Sequence, residues 1–291
     1  MAFHLNISPE LRSWILSTTH AGHSVDDVLR LMQENGYDAQ QSRRIIAAVL
    51  NMPIAAIESR TKKPKSQGHR PTHPEGRRVM KDGSAIQVTL SVDTPPLRVL
   101  DGILSHEECK ALIELARPRL ERALIVDSSG THQVDARRTS EGMFFKQGEL
   151  PLISQIEERI AALLGMPVDH GEGLQVLHYL PGQQYEPHQD WFDPEQPGYA
   201  AVTAKGGQRV ASLVMYLNTP DTGGGTAFPE IGLTVTALRG SAVYFAYETG
   251  DSLSLHAGLP VLTGEKWIAT KWLREKPFQT PSSLRQKLFK R

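Results

Sequence analysis

Cysteine is almost absent from this sequence. Cys109 is the single cysteine among 291 residues, and one thiol excludes both an internal disulfide framework and a zinc site built from cysteines. Because Cys109 lies in a helical pattern of apolar residues, we predict that it is a small core side chain rather than a nucleophile.

An excess of charge of one sign is also absent. The 32 Lys and Arg residues balance the 32 Asp and Glu residues, so no overall field draws the protein to nucleic acid or to anionic lipid. No apolar run approaches the length that crosses a bilayer, and the N-terminus lacks the basic and apolar regions of a signal peptide. We therefore expect a cytoplasmic protein with neither a membrane nor a nucleic-acid partner.

The first 58 residues predict a small helical module. Ser8, Ser24 and Asp38 each precede an apolar helical pattern at the position where an N-cap residue stands. Two roles for residues 1–58 stay open. The module could dock a partner or form a dimer, or it could be only a structural cap.

Residues 59–84 interrupt all periodicity. They are rich in Pro, Gly, Lys and Arg, which predicts a flexible basic linker. A patch for nucleic acid or for an acidic partner is the alternative, but the segment lacks the interleaved aromatic residues that favour such binding. We expect a larger domain over residues 85–280, followed by a basic C-terminal tail over residues 281–291.

The larger domain is expected to belong to the α+β class. Capping and periodicity predict a first strand over 85–92 and helices that begin after Ser105 and span 150–164. Short β-branched and aromatic strands are then predicted at 173–180, 208–217, 233–237, 241–247 and 266–273. Helices followed by strands favour an antiparallel sheet with helices packed on one side.

A candidate metal site begins with His188 and Asp190, which stand two residues apart after a strand-like run. Residues i and i+2 of a strand point to the same face, so both side chains can reach one point, and His256 can complete the set. Two imidazoles and one carboxylate leave open positions on a metal and are typical of non-haem Fe(II) oxygenases. An H-x-D pair alone arises readily by chance. A Gly-rich turn, two apolar strands and a buried-looking Lys266 around it favour the metal site.

Five ordered segments of the chain carry a family resemblance. They read RTSEGMFF (138–145), GLQVLHYLPGQQYEPHQDWF (173–192), GGQRVASLVMYLN (206–218), GGGTAFPE (223–230), and LRGSAVYFAYE through HAGLPVLTGEKWIATKWLRE (238–275). This stretch resembles the catalytic domain of prolyl 4-hydroxylases, within the Fe(II)/2-oxoglutarate dioxygenase superfamily. The resemblance implies a double-stranded β-helix, or jelly roll, with supporting helices.

The resemblance also implies roles for individual residues. The implied metal-binding and catalytic residues are His188, Asp190 and His256. Three residues are implied to bind 2-oxoglutarate. Lys266 would bind its distal carboxylate, and Tyr179 and Thr226 would hydrogen-bond to the cosubstrate. The residues implied to line a peptide groove are Tyr185, Arg209 and Trp272. The implied cofactors and cosubstrates are Fe(II), 2-oxoglutarate, O2 and L-ascorbate as a reductant.

The expected reaction is hydroxylation of prolyl residues at C4 in a peptide or protein, with release of succinate and CO2. A carboxylate at Asp190 favours hydroxylation, because halogenating relatives have a small residue there. Two alternatives stay open at this point. The same oxidative chemistry could act on a free amino acid or a modified nucleobase, or the chain could be a non-catalytic binding protein.

Overall fold

The computed structural model describes residues 7–20, 23–52, 68–126, 132–134 and 138–278. The chain divides into two compact units, Met1–Ser66 and Gln67–Arg291. No helix in the described ranges is both long and apolar enough to span a bilayer. The predicted tail at 281–291 and the start of the predicted linker, residues 59–67, lie outside the described residues.

The described residues of the first unit form three helices, as the sequence predicted. They are α1 (Pro9–His20), α2 (Val25–Glu34) and α3 (Ala39–Leu50). The Ser24 hydroxyl accepts a hydrogen bond from the Asp27 amide, and the Asp27 carboxylate accepts one from the Ser24 amide, which completes a capping box. The core of the unit is formed by Ile15, Val28, Leu29, Met32, Ile45, Ile46 and Val49.

Among the described residues, the second unit contains three further α-helices and all 17 strands. The helices are α4 (His106–Ala116), α5 (Pro151–Leu164) and α6 (Tyr199–Thr203). The strands in its first half are β1 (Arg77–Val79), β2 (Ala85–Val92), β3 (Leu97–Asp101), β4 (Glu121–Arg122), β5 (Leu124–Val126), β6 (His132–Val134), β7 (Glu141–Phe145), β8 (Leu174–Tyr179) and β9 (Tyr185–His188). The remaining strands are β10 (Arg209–Tyr216), β11 (Thr222–Gly223), β12 (Thr226–Phe228), β13 (Leu233–Val235), β14 (Ala242–Ala246), β15 (His256–Gly258), β16 (Val261–Thr263) and β17 (Lys266–Arg274).

Two antiparallel sheets face each other in this unit. The large sheet has the order β1-β2-β3-β14-β10-β17-β8-β7-β4, and the small sheet has the order β13-β12-β15-β9. One hydrophobic core joins α4 and α5 to the outer face of the large sheet. A second core fills the space between the large and small sheets. This arrangement confirms the predicted jelly roll with helices on one side.

Alternation along β17 decides which side chains reach the space between the sheets. Ile268 packs in the core between the sheets, whereas Trp267 and Ala269 pack in the core against the helices. Lys266 therefore shares the inner face with Ile268, and Lys271 points outward to α5, where its Nζ lies 2.5 Å from a carboxylate oxygen of Glu157. The predicted division of β17 into two faces holds.

The prediction of a flexible linker is wrong for residues 68–84, which belong to the second unit. Strand β1 forms one edge of the large sheet by pairing with β2, and the Thr72 amide donates to the Leu164 carbonyl at 2.8 Å. An edge strand forms backbone hydrogen bonds on one side only, so it tolerates a charged and glycine-rich sequence. Such a sequence carries no strand pattern, which is why β1 was not predicted. The larger domain therefore begins before residue 85.

Candidate metal centre and adjoining groove

The predicted metal ligands converge at the open end of the small sheet. His188 ends β9 and His256 begins β15, and the two residues are directly opposite each other in the antiparallel pair. Asp190 follows in a bend two residues after His188. One ligand atom from each of the three side chains lies within 4.8 Å of the other two. His188 Nε2 is 3.7 Å from Asp190 Oδ1, and His256 Nε2 is 3.6 Å from Asp190 Oδ2.

The backbone fixes which nitrogen of each imidazole can bind a metal. Nδ1 of His188 lies 2.9 Å from the Glu186 carbonyl, and Nδ1 of His256 lies 3.0 Å from the Ser254 carbonyl. A carbonyl oxygen can only accept a hydrogen bond, so Nδ1 carries a proton in both rings and Nε2 is the nitrogen that is left to bind a metal. Burial lowers the pKa of His188 to about 3, which keeps the ring neutral.

The carboxylate of the set is ionised. Burial alone would raise the pKa of Asp190, but interactions with the His256 and His188 rings and with Arg209 outweigh burial and lower that pKa to about 2. The centre thus offers two imidazole nitrogens and one carboxylate, which are the ligands of a facial site for Fe(II) with further positions left open. The donor atoms fit the metal that the sequence predicted.

Lys266 lies on the inner face of the large sheet, close to this centre. Its backbone pairs with Tyr179 on β8, and its Nζ is 5.4 Å from the centre of the Tyr179 ring. Nζ also lies 4.0 Å from the position that a Cβ on Gly258 would take, two residues along β15 from His256. Thr226 pairs with Gly258 across the strands, so the three residues predicted to bind 2-oxoglutarate surround one space.

The charge of Lys266 has no counterion in this space. The side chain is 2% exposed, and no carboxylate of the described residues lies within ion-pair distance of Nζ. Burial lowers the pKa of Lys266 to about 7. A bound carboxylate would supply the missing partner and favour the charged ammonium.

A groove of about 1260 Å³ opens onto His188 and Asp190. The three residues predicted to line a peptide groove, Tyr185, Arg209 and Trp272, all border it. The Tyr185 ring stacks on the His188 ring with 3.6 Å between their centres. The Arg209 guanidinium lies 4.0 Å from the centre of the Trp272 ring. Tyr185 therefore restricts the His188 ring, and Arg209 restricts the Trp272 ring in the groove wall.

Sequence reasoning missed Glu172, which holds Arg209 in place. Arg209 Nε and Nη2 donate to the two carboxylate oxygens of Glu172 at 2.6 and 2.9 Å. Arg274 Nε lies 2.7 Å from the same carboxylate. Burial would raise the pKa of Glu172, but the two arginines lower it. The residue stands in an irregular Gly-Glu-Gly segment, where no periodic pattern marks a buried ion pair.

Sequence reasoning also missed the contacts that fix the segment after His188. The Gln208 side chain accepts a hydrogen bond from the Phe192 amide and donates one to the Phe192 carbonyl. Trp191 Nε1 donates to the Asp251 carbonyl at 3.0 Å. These bonds tie the Asp190 bend to β10 and to the loop before His256, so the three ligands are held by one connected set of contacts.

Comparison with known proteins places this geometry in a family. Residues 174–274 match the 2OG-Fe(II) oxygenase superfamily. The chain is 42% identical over 204 residues to probable prolyl 4-hydroxylase 10 of Arabidopsis thaliana, a match that covers 62% of this chain and 69% of the relative. The chain belongs to the prolyl 4-hydroxylase family. It is therefore an Fe(II)- and 2-oxoglutarate-dependent dioxygenase, as the sequence predicted.

Further members of the prolyl 4-hydroxylase family support this assignment. Prolyl 4-hydroxylase 1 of Arabidopsis thaliana is 40% identical over 204 residues, which cover 63% of this chain and 70% of the relative. Among solved structures, the viral collagen prolyl hydroxylase of Paramecium Bursaria Chlorella virus-1, in its 2-oxoglutarate complex, is 30% identical. That match has a TM-score of 0.50 and covers 61% of this chain and 95% of the viral one.

Proposed function

We propose that this chain hydroxylates prolyl residues at C4 in a peptide or protein, with 2-oxoglutarate and O2 as cosubstrates and succinate and CO2 as products. The observation that carries the proposal is the position of His188, Asp190 and His256 beside a groove, together with membership of the prolyl 4-hydroxylase family. Exposed lining residues come from β4 at the sheet edge and from the segment before α6. An extended chain can lie in such a groove, whereas a free amino acid or a nucleobase suits a closed pocket.

The three convergent side chains would hold the metal. His188 and His256 would bind Fe(II) through Nε2, and Asp190 through a carboxylate oxygen. When bound, Fe(II) with 2-oxoglutarate supplies the activation of O2. The protein's own part is to fix the ligands and keep water away. The Phe245 ring does so on one side, because its centre lies 4.6 Å from that of His256.

The inner space beside the metal would bind 2-oxoglutarate. The Lys266 ammonium would pair with the distal carboxylate, and the hydroxyls of Tyr179 and Thr226 would hydrogen-bond to the cosubstrate. The Thr226 hydroxyl accepts a hydrogen bond from Tyr216 at 2.8 Å, so its own proton is free to be donated to an anionic ligand.

Binding of 2-oxoglutarate is expected to weaken as pH rises above about 7. Free Lys266 has a pKa of about 7, and a bound carboxylate raises it, so above pH 7 the lysine must take up a proton before it can pair. Affinity should be constant below that pH and fall by about tenfold per pH unit above it, until the pKa of the complex is reached. Calorimetric titrations over a pH series measure this. Lys266→Arg keeps its charge throughout and should lose the dependence, whereas a wild-type affinity that is flat across this range would contradict it.

The groove would bind the substrate peptide. Tyr185 and Trp272 offer aromatic faces for apolar rings such as that of proline. The planar guanidinium of Arg209 can donate to peptide carbonyls, and it lies between the rings of Phe192 and Trp272, at 4.8 and 4.0 Å from their centres. Glu172 keeps that guanidinium in one orientation.

Arg209→Ala is expected to weaken peptide hydroxylation while 2-oxoglutarate turnover without peptide stays largely intact. Arg209 borders the groove, and its contact with the metal centre is with the backbone carbonyl of Asp190 at 3.5 Å rather than with a metal-facing atom. We therefore expect its loss to act more strongly on the peptide than on 2-oxoglutarate turnover. Succinate release with and without a proline-rich peptide measures the two activities. Arg239→Ala, an exposed arginine bonded to His106, is the matched control and should change neither. A peptide-stimulated rate that is the same in Arg209→Ala and in wild type would exclude this role.

The proposal includes three further points: the reductant, the role of the first unit and the cellular location. The family resemblance supports L-ascorbate as the reductant that restores oxidised iron. The helical first unit is proposed to dock a partner or to mediate a dimer, and a cytoplasmic location is proposed from composition. Gel filtration of the full chain and of a chain that starts at residue 67 would test the dimer, because loss of residues 1–66 should then give a monomer.

A further inference from the structure

Two hydroxyl groups lie behind the carboxylate of Asp190, on the side away from the groove. The Ser212 hydroxyl donates to Asp190 Oδ2 with an O–O distance of 2.5 Å. The Tyr247 hydroxyl lies 3.0 Å from the Ser212 oxygen. Neither Ser212 nor Tyr247 borders the groove, and both are buried. They therefore cannot contact a substrate held there.

The direction of both hydrogen bonds follows from counting protons. A carboxylate that binds a metal is deprotonated and can only accept hydrogen bonds. The single proton of Ser212 is therefore donated to Asp190, and the Ser212 oxygen can only accept from Tyr247. The result is a directed chain in which Tyr247 donates to Ser212 and Ser212 donates to Asp190.

The two hydroxyl groups are anchored at the centre of the large sheet. Ser212 lies on β10, in the middle of the large sheet, and pairs with Phe245 on β14 and Trp272 on β17. The Tyr247 amide donates to the Val210 carbonyl, which ties it to the same strand. Asp190, in contrast, lies in a bend outside any strand. Two residues that the large sheet holds through backbone hydrogen bonds thus contact Asp190, the one proposed ligand that lies outside the strands.

We propose that Ser212 and Tyr247 are positioning residues that hold the carboxylate plane of Asp190 so that it faces His188 and His256. This inference rests on the proposed metal site and concerns only how its third ligand is oriented. Without the Ser212 hydroxyl the Asp190 carboxylate can rotate about its Cβ–Cγ bond. Metal binding must then order the carboxylate, and this loss of entropy lowers the metal affinity. Partners of metal ligands contribute to metal affinity in this way.

Two measurements on the full chain test this proposal. Calorimetry gives the affinity for Mn(II). The absorption spectrum of the Co(II) form reports ligand geometry without any turnover. Ser212→Ala should weaken Mn(II) binding by about 10–100-fold and shift the Co(II) bands. Tyr247→Phe should weaken binding by less. The double variant should match Ser212→Ala, because Tyr247 acts only through Ser212. Ser212→Thr keeps the hydroxyl and should restore binding.

Tyr244→Phe is the matched control. Tyr244 is a buried tyrosine on β14, packs in the core against the helices, and has its hydroxyl 3.0 Å from His73 Nδ1. It should show a fall in Tm comparable to that of Tyr247→Phe with no change in Mn(II) affinity. A purely structural role for Tyr247 would make the two variants alike in both measurements.

The outcomes separate this inference from the metal site itself. If wild-type protein binds one Mn(II), His188→Ala does not, and Ser212→Ala binds as wild type does, the metal site stands and the positioning role is wrong. If wild-type protein binds no Mn(II), the metal site and this inference both fail. Should Ser212→Ala not fold, Tyr247→Phe and Ser212→Thr carry the same comparison.

Discussion

His188→Ala should abolish both Mn(II) binding and the release of succinate from 2-oxoglutarate. The substitution removes one of the three proposed metal ligands among the described residues, and the ring that Tyr185 stacks on is lost with it. Two remaining ligands hold Fe(II) too weakly for turnover above background. Succinate measured after incubation with Fe(II), 2-oxoglutarate and a prolyl peptide checks the activity, and calorimetry with Mn(II) checks the metal.

His178→Ala is the control for His188→Ala. His178 is a buried histidine on the neighbouring sheet, where it hydrogen-bonds to Glu265 at 2.8 Å and stacks on Trp267. It lies away from the metal centre, so its loss should leave Mn(II) affinity intact. Turnover by His188→Ala at the wild-type rate would mean that the metal is held elsewhere.

Lys266→Met should have opposite effects on cosubstrate binding and on stability. The distal carboxylate of 2-oxoglutarate would be left unpaired in a desolvated space, at a cost of roughly 2–5 kcal/mol. The dissociation constant for 2-oxoglutarate should therefore rise at least about thirtyfold. At a pH below the Lys266 pKa of about 7, the variant should unfold at a higher temperature than wild type, because it removes a buried charge that has no partner.

The two measurements on Lys266→Met check each other. Calorimetry gives the dissociation constant for 2-oxoglutarate, and thermal denaturation without 2-oxoglutarate gives the stability. A weaker affinity with a lower Tm would indicate only a damaged fold. An unchanged affinity would show that another cation binds the cosubstrate.

The contrast between Lys266 and Lys271 shows how one strand serves both stability and function. Both lysines are buried on β17, five residues apart and on opposite faces. Lys271 has a partner in Glu157 on α5 and joins the sheet to the helices. Lys266 has no such partner in the described part of the molecule. A buried charge without a partner is costly unless a ligand completes it, and on this ground we propose that the inner space beside Lys266 binds an anionic ligand.

Local patterns in the sequence were sufficient to predict much of the fold. The strand at 85–92 and the helices α4 and α5 follow from caps and periodicity, and the two faces of β17 follow from simple alternation. Strand β1 could not be found in this way, because its residues carry no apolar alternation and are ordered by pairing at a sheet edge.

The sequence predicted the candidate site residues that belong to a short motif. It did not predict the contacts that form only when distant strands pair in a particular register. His188 and Asp190 are near neighbours in the chain, although Asp190 reaches the centre from a bend rather than from a strand. Ser212 and Tyr247 meet because β10 pairs with β14. Glu172 meets Arg209 across distant segments. Such contacts depend on strand register, which a single sequence does not reveal.

The most direct test of the proposed function is mass spectrometry of a proline-rich peptide incubated with the full chain, Fe(II), 2-oxoglutarate, O2 and ascorbate. We expect the peptide to gain the mass of one oxygen atom on a proline, and fragmentation and amino-acid analysis to identify 4-hydroxyproline. His188→Ala should leave the peptide unchanged. Efficient hydroxylation of free proline or of a nucleobase, with no oxygen added to any prolyl peptide, would contradict the account.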